Sequence, residues 1–183
     1  MSAVRLRTAQ TEEIAPERLD ELTALCEAAF GESFAGAWER VGPGLHVVAE
    51  LAGRAAAHAM IVDRKLYLGH EMDLALDVGY VEHVATLPSA QGAGHGATVM
   101  REVARIIRDE YQLGALATGS NAFYQRLGWE TWAGPTFVRT ADGELLRSAA
   151  EDGHVMVLRT PRTPAGTPLD VPIAVDWRAD QPW

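Results

Sequence analysis

Cysteine is almost absent from this chain. One residue, Cys26, stands among 183, so no internal disulfide can form and no thiolate cluster can hold a metal. Long apolar runs are missing too. None approaches the ~20 residues that cross a bilayer. The opening MSAVRLRTAQ lacks the apolar centre of a secretion signal. The expected location is therefore the cytoplasm, with no membrane partner. Positive charge is scarce: 16 Lys and Arg face 25 Asp and Glu, for a formal net charge of −9. Nucleic-acid binding needs the opposite balance, so no such partner is expected. An acidic chain suits a cationic small molecule, drawn in by a field of opposite sign. Internal repeats are lacking as well. With 48% apolar residues, the chain reads as one domain over residues 1–183.

What is present centres on one stretch, Tyr80 to Met100, YVEHVATLPSAQGAGHGATVM. Gly79 to Leu87 reads as a strand and Pro88 as a turn. A glycine-rich loop follows from Gln91 to Gly96, and then a helix from Ala97 to Tyr111. Ala97, Met100, Val103, Ala104 and Ile107 form the apolar stripe of that helix, while Arg101, Arg105 and Arg108 lie on a solvated face. Gly92, Gly94 and Gly96 have no β-carbon, so the loop can turn successive N–H groups toward one point. The helix start adds its own free N–H groups and partial positive charge. The product is an anion cradle suited to phosphates.

Three phosphate motifs compete for this loop. A P-loop requires Gly-Lys-Ser/Thr, and the loop holds no lysine. Gly92, Gly94 and Ala97 satisfy the dinucleotide pattern G-x-G-x-x-A. The setting does not suit it, because Asp109 and Glu110 end the helix itself and the upstream region reads as antiparallel hairpins. The third pattern, Gln-x-x-Gly-x-Gly, is met by Gln91, Gly94 and Gly96.

The rest of the chain supplies the frame. Ala3 to Thr8 alternates as a first strand. A helix opens near Pro16 and buries Leu19, Leu22, Leu25, Cys26 and Ala29, which makes Cys26 a small core residue. Glu32 to Arg40 is a short helical or loop segment with Trp38 packed. Leu45 to Leu51 and Arg54 to Asp63 form a hairpin about Ala52-Gly53, and Lys65 to Leu76 is a connection or a further strand. His46, His58 and His70 are scattered singly, without ligand spacing, and read as structural or exposed; no metal is expected. Gly114 to Thr118 is a strand, and Asn121 to Leu127 a short helix ended by Gly128. Trp129 to Trp132, Phe137 to Arg139 and His154 to Leu158 are the remaining strand candidates. Ala141 to Gly153 reads as a polar loop, and a proline-rich tail runs from Thr160.

The Gln91–Gly96 loop resembles the acyl-CoA loop of the GNAT N-acetyltransferases. Asn121-Ala-Phe-Tyr124-Gln-Arg-Leu-Gly128-Trp129 is similar to the family's N-x-x-F-Y-x-x-x-G-F segment, with Trp for Phe. GYVEHVAT, YQLGALAT, LGWETWAGPT, DWRADQPW and the early AAF-GESF…WE…GPGLH resemble the aminoglycoside 2′-N-acetyltransferases, so the similarity runs from about Phe30 to Trp183. The resemblance implies an α/β (α+β) GNAT fold. That fold has a mixed, mostly antiparallel sheet of about six or seven strands, a splayed parallel pair and about four flanking helices. It also implies acetyl-CoA as co-substrate, an aminoglycoside amine as acceptor, and a homodimer.

By the same resemblance, a pantetheine arm fills the gap beside Val84, Ala85 and Thr86 as a pseudo-strand. Gln91, Gly92, Ala93, Gly94, His95 and Gly96 receive the pyrophosphate, with Asn121 also on the coenzyme. Glu82 is the candidate base, directly or through water, and needs help because a free carboxyl titrates near ~4.3. Tyr124 falls where the family places the acid that protonates the leaving thiolate, and the Val84 N–H is the expected oxyanion donor. His83 ranks below Glu82 as a base, since strand parity turns it to the opposite face. The acceptor set is Glu32, Glu82, His83, Thr118, Glu151, Asp152 and Trp183, whose terminal carboxylate is included. One family acid is replaced by Ala37, and a near-terminal one falls at Gln181 or Asp180 depending on register. Two rivals stay open: an acetyltransferase of another small-molecule or peptide amine, and a non-catalytic acyl-CoA-binding module.

Overall fold

The computed structural model describes residues 3–179 and 181–183. These hold ten β-strands of mixed direction and four α-helices. Contacts group them into two units, and two long strands, β3 (Arg54–Leu68) and β4 (Leu74–Thr86), run through both.

The first unit takes the chain as far as Val62, together with Val81–Arg105. It contains β1 (Arg5–Gln10), α1 (Pro16–Phe30), α2 (Ala37–Val41), β2 (Leu45–Leu51) and most of α3 (His95–Glu110). Pro16 opens α1, where a missing N–H costs nothing. Gly31, in the left-handed region, closes it with its N–H on the Glu27 carbonyl at 2.9 Å. Leu22, Leu25 and Cys26 on α1 pack with Phe34, Ala37, Val48, Ala55 and Ala85 to form the core. Burial pushes the Cys26 thiol up to about 12, so it stays protonated and inert. The β2–β3 hairpin turns on Ala52 and Gly53, both at positive φ, which matches the twist of the flanking strands. β1 pairs antiparallel with β2. The alternation in its sequence gives a strand but no buried face, since Val4 and Leu6 stay exposed.

The second unit is Asp63–Tyr80 with Ile106–Trp183. It adds β5 (Leu113–Ala117), α4 (Asn121–Gln125), β6 (Glu130–Thr131), β7 (Thr136–Arg139), β8 (Leu145–Arg147), β9 (Val155–Arg159) and β10 (Ile173–Asp176). The order is β6-β9-β5-β4-β3-β10-β7-β8. The parallel β4–β5 ladder registers Val78, Gly79 and Tyr80 against Leu113, Gly114 and Ala115. A second parallel pair joins β10 to β7. Gly114 is required by packing: a β-carbon there would lie 3.0–3.2 Å from Ile107, Leu158 and Trp129.

Of the two readings of Lys65–Leu76 the strand holds for most of it: β3 runs on to Leu68 and β4 starts at Leu74, with Leu66, Leu68 and Leu76 buried. Other expectations change. The polar segment Ala141–Gly153 contains β8 and a 3-10 turn at Ala149–Glu151. The proline-rich tail contains β10, whose Ile173, Ala174 and Val175 are fully buried. The strand count is therefore ten, not six or seven. No helix among the described residues is long and apolar enough to cross a membrane.

Candidate active site

In the first unit the Leu87 N–H bonds the Ala56 carbonyl at 2.9 Å, which ties down the end of β4. Pro88–Ala90 form a 3-10 turn, and α3 begins at His95, two residues earlier than the sequence suggests. Gly92 and Gly94 take φ of 78° and 83°, conformations that side-chain residues rarely adopt. A β-carbon at either would meet nothing within 4 Å, so the surface over both is open. The Thr98 N–H and hydroxyl both turn back to the Gly94 carbonyl. Among the described residues, no backbone carbonyl accepts from the N–H groups of Gly92 to Ala97. A run of free donors at the start of a 16-residue helix is a cradle for an anion. The Gln91 side chain braces the loop by donating to the Thr86 carbonyl at 3.3 Å. On α3, Val99, Met100, Val103, Ala104, Ile106 and Ile107 are buried, and Arg105 pairs with Glu102 at 2.7 Å.

Upstream on the same strand, Glu82, His83 and Val84 are half-buried. His83 has φ 53°. A left-handed residue breaks the alternation of faces, so the parity argument separating Glu82 from His83 does not hold. For a side-chain residue this conformation costs about 1 kcal/mol. The His83 carbonyl accepts from His58 Nδ1 at 3.0 Å; His58 Nε2 meets His46 Nδ1 at 2.9 Å, and His46 Nε2 meets the Thr11 hydroxyl at 3.1 Å. His46 and His58 are therefore linked, not scattered. The hairpin register explains it. His46 lies opposite Met60, which places His58 on the same face one diagonal step away. Trp38 stands among these rings, with centroids 5.2 Å from His46, 5.6 Å from His58 and 5.3 Å from His83, and Phe34 meets His83 at 4.6 Å. Glu32 lies exposed in the bend between α1 and Phe34.

His46 and His58 are both fully buried. Burial lowers His46 to about 4 and His58 to about 3, with the His46 charge as a second cause for His58. Both folded values lie below the unfolded ~6.5. Below that pH the unfolded chain takes up protons that the folded chain refuses. Stability is thus whole above pH ~6.5 and falls toward pH ~4, by about 1.4 kcal/mol per pH unit for each histidine. Urea midpoints at pH 7 and pH 5 check this; an unchanged midpoint at pH 5 contradicts it.

In the second unit, Thr118 is a hub. Its N–H donates to the His154 carbonyl at 2.9 Å, and His154 Nδ1 donates to its carbonyl at 3.1 Å. Its hydroxyl accepts the Ser120 N–H and bonds Tyr124. Tyr124 is 7% exposed. Burial pushes its hydroxyl up to about 12, against the lowering effect of Thr118. Asn121 uses its amide nitrogen on the Gly153 carbonyl at 2.9 Å and on Thr131 at 3.0 Å. That pins α4 to the segment carrying Glu151 and Asp152. The Asp152 carboxylate is engaged by Arg147 first, then by the Thr136 N–H and hydroxyl, and these hold it well below the usual carboxylate range. Trp183 is buried with its indole N–H on Ser148 at 2.9 Å, and Arg64 holds the Pro182 carbonyl at 2.5 Å. Thr118, Asn121, Tyr124 and the Glu151–Gly153 turn are thus brought together, with Trp183 anchored through Ser148. Ala37 is a core residue, and Asp180 lies outside the described residues. Among the described residues, no group of three or more His, Cys, Asp or Glu is arranged to hold a metal ion.

Residues 10–132 match the family model described as an acetyltransferase (GNAT) domain. The chain is 35% identical to an aminoglycoside 2′-N-acetyltransferase of Mycolicibacterium fortuitum, over 97% of this chain and 91% of that one. Its backbone is similar to a GNAT family N-acetyltransferase, YhbS, of Escherichia coli, solved in complex with CoA. There the TM-score is 0.66 at 16% identity, over 96% of this chain and 91% of that one. It is also similar to a GCN5-related N-acetyltransferase of Kribbella flavida, with a TM-score of 0.57 at 23% identity, over 72% of this chain but only 34% of that one.

Proposed function

We propose, from the premise that the chain belongs to the GNAT acetyltransferase family, that it moves the acetyl group of acetyl-CoA onto the 2′-amine of an aminoglycoside. The observation that carries the coenzyme half of this reading is the row of free N–H groups from Gly92 to Ala97 at the start of α3. Open space over Gly92 and Gly94 suits a diphosphate. The β4–β5 register ends at Tyr80 and Ala115, and we read the β5-side edge of β4 beyond it as the place for the amides of a pantetheine arm. The aminoglycoside half rests on the M. fortuitum relative and on the acidic balance of the chain.

Acetyl-CoA supplies an acetyl group on a good leaving group. The chain's part is to position it and to move two protons. Glu82 takes a proton from the acceptor ammonium, directly or through water, so that the nitrogen lone pair can attack the thioester carbon. The Val84 N–H bonds the developing oxyanion. As the C–N bond forms and the C–S bond breaks, the Tyr124 hydroxyl gives its proton to the leaving thiolate, and the second proton shed by the nitrogen restores the phenol by way of solvent. Glu32 and Glu151 attract the remaining ammonium groups. Acetylation turns a cationic amine into a neutral amide, so the product loses a charge, and in a cell this would confer resistance. A cytoplasmic homodimer is part of the same reading.

Asp152 is spent on Arg147, and Ala37 is apolar and buried. Fewer carboxylates are then left for a polycation, which favours a narrower aminoglycoside range or a different small amine. Thiol release from acetyl-CoA, measured with aminoglycosides that carry a 2′-amine and others that carry a 2′-hydroxyl, tests the proposal. Release with the first group alone is expected. Equal release with both would move the reaction to another position, and release with neither would remove the aminoglycoside assignment.

A further inference from the structure

We propose that His58 is a positioning residue for acetyl transfer: its Nδ1–H, on the His83 carbonyl, holds the left-handed kink of β4 between Glu82 and Val84. The inference rests on the reading of β4 as the strand along which the reaction runs.

The chemistry of the last partner fixes one bond, and neutral rings then set the direction of the others. A carbonyl can only accept, so His58 must donate from Nδ1. A neutral imidazole with its proton on Nδ1 accepts at Nε2, and the partner there is His46 Nδ1, which must therefore donate. His46 then accepts at Nε2, and the group facing it is the Thr11 hydroxyl. The hydroxyl lies 3.0 Å from the Gly44 carbonyl, which also receives the Thr11 N–H, and 3.1 Å from His46 Nε2, so neutral rings require its one proton to serve His46. The Gly44 N–H meanwhile donates to the same hydroxyl. The series runs one way, from Thr11 through His46 and His58 to His83, with every member neutral.

A series that ends on a carbonyl cannot hand a proton onward. It is a tether, not a relay. What it tethers is the residue whose φ of 53° a side chain resists. At this residue an imidazole from β3 donates to the backbone carbonyl. The ring itself is fixed by Trp38, whose indole lies against all three imidazoles and whose Nε1 donates to Thr23 at 2.8 Å. A hydrogen bond to a buried group is worth about as much as the conformation costs, so its removal releases the kink. Glu82 and Val84 flank that kink. Their carboxylate and N–H need placement within about an ångström to act on an amine and an oxyanion, and a slip of that size costs about 100-fold in rate.

Two substitutions separate holding the carbonyl from filling the space. Asparagine at 58 places an amide N–H near the position of Nδ1; leucine fills the volume and donates nothing. We expect kcat for acetyl transfer to fall about 100-fold in His58→Leu and about threefold in His58→Asn, with KM for acetyl-CoA little changed in either. In a His83→Gly background, where the left-handed conformation carries no strain, the further loss from His58→Leu should shrink to less than about fivefold. Equal losses in the two folded variants, or full turnover in His58→Leu, overturn the proposal. Long-range 15N spectra of the wild-type protein at pH 7 give a check independent of any substrate. An Nδ1–H tautomer at His58 supports the tether and an Nε2–H tautomer removes it. Should the wild type transfer acetyl to no amine, the functional reading fails while this spectrum still decides the tether.

Discussion

Tyr124→Phe is expected to lower kcat for acetyl transfer by about 10²- to 10³-fold, with acetyl-CoA affinity within a factor of about two. The substitution is narrow. The ring stays, so its contacts with Phe123 at 4.9 Å and Trp129 at 6.3 Å are kept. Only the hydroxyl goes, and the Thr118 hydroxyl that loses it is half-buried and still bonded to the Ser120 N–H. Little stability should be lost. The chemistry loses more. A phenol held up to about 12 keeps its proton at any pH the protein would meet, so the wild type always presents a donor to the leaving sulfur. Without it the thiolate must leave unprotonated or draw on water. Thiol release at saturating acetyl-CoA gives kcat, and calorimetry gives the affinity. Full turnover in the variant would strip Tyr124 of the acid role and leave it a packing residue at the start of the Tyr124–Trp129 turn.

Gly94→Glu is expected to weaken acetyl-CoA binding by about 100-fold, because a new carboxylate faces the bound diphosphate across a few ångströms of partly shielded space. Sterics do not oppose the side chain, as nothing lies within 4 Å of the β-carbon. The φ of 83° adds a strain cost of about 1 kcal/mol, mostly to folding. Gly94→Ala carries that strain without the charge and is the control; its affinity should fall by less than about tenfold. Raising the salt should recover part of the loss in the glutamate variant, since a partly exposed repulsion is screened within about 10 Å at 0.1 M. Unchanged affinity in Gly94→Glu would place the coenzyme elsewhere on the chain.

The order of strand, turn, glycine loop and helix around Gln91 was legible because each part is written locally. Pro88 marks the turn, the alternate glycines permit positive φ, and the apolar spacing of α3 gives its buried face. β10 was not legible. Ile173–Asp176 is four residues in a proline-rich tail, and it becomes a strand only by lying between β3 and β7, both distant in sequence. β8 was hidden for another reason: all three residues are exposed, so no apolar pattern marks it. The family resemblance points to Asp152 as a substrate carboxylate by its position. Its partner Arg147 sits five residues away across a 3-10 turn, a spacing that no helix or strand periodicity picks out. His46 and His58 show the cost of reading histidines one at a time. The hairpin itself was predicted, and its register would have put them on one face. The left-handed turn at His83 carries no such local mark, because its carbonyl is held from another strand.

The one-way series that starts at Thr11 also has a bearing on how this protein can vary through descent. Each member accepts from one neighbour and gives to the next, so a lone replacement strands an interior dipole on either side of it. Related chains should then inherit Thr11, His46 and His58 as a block or exchange the block for apolar residues together.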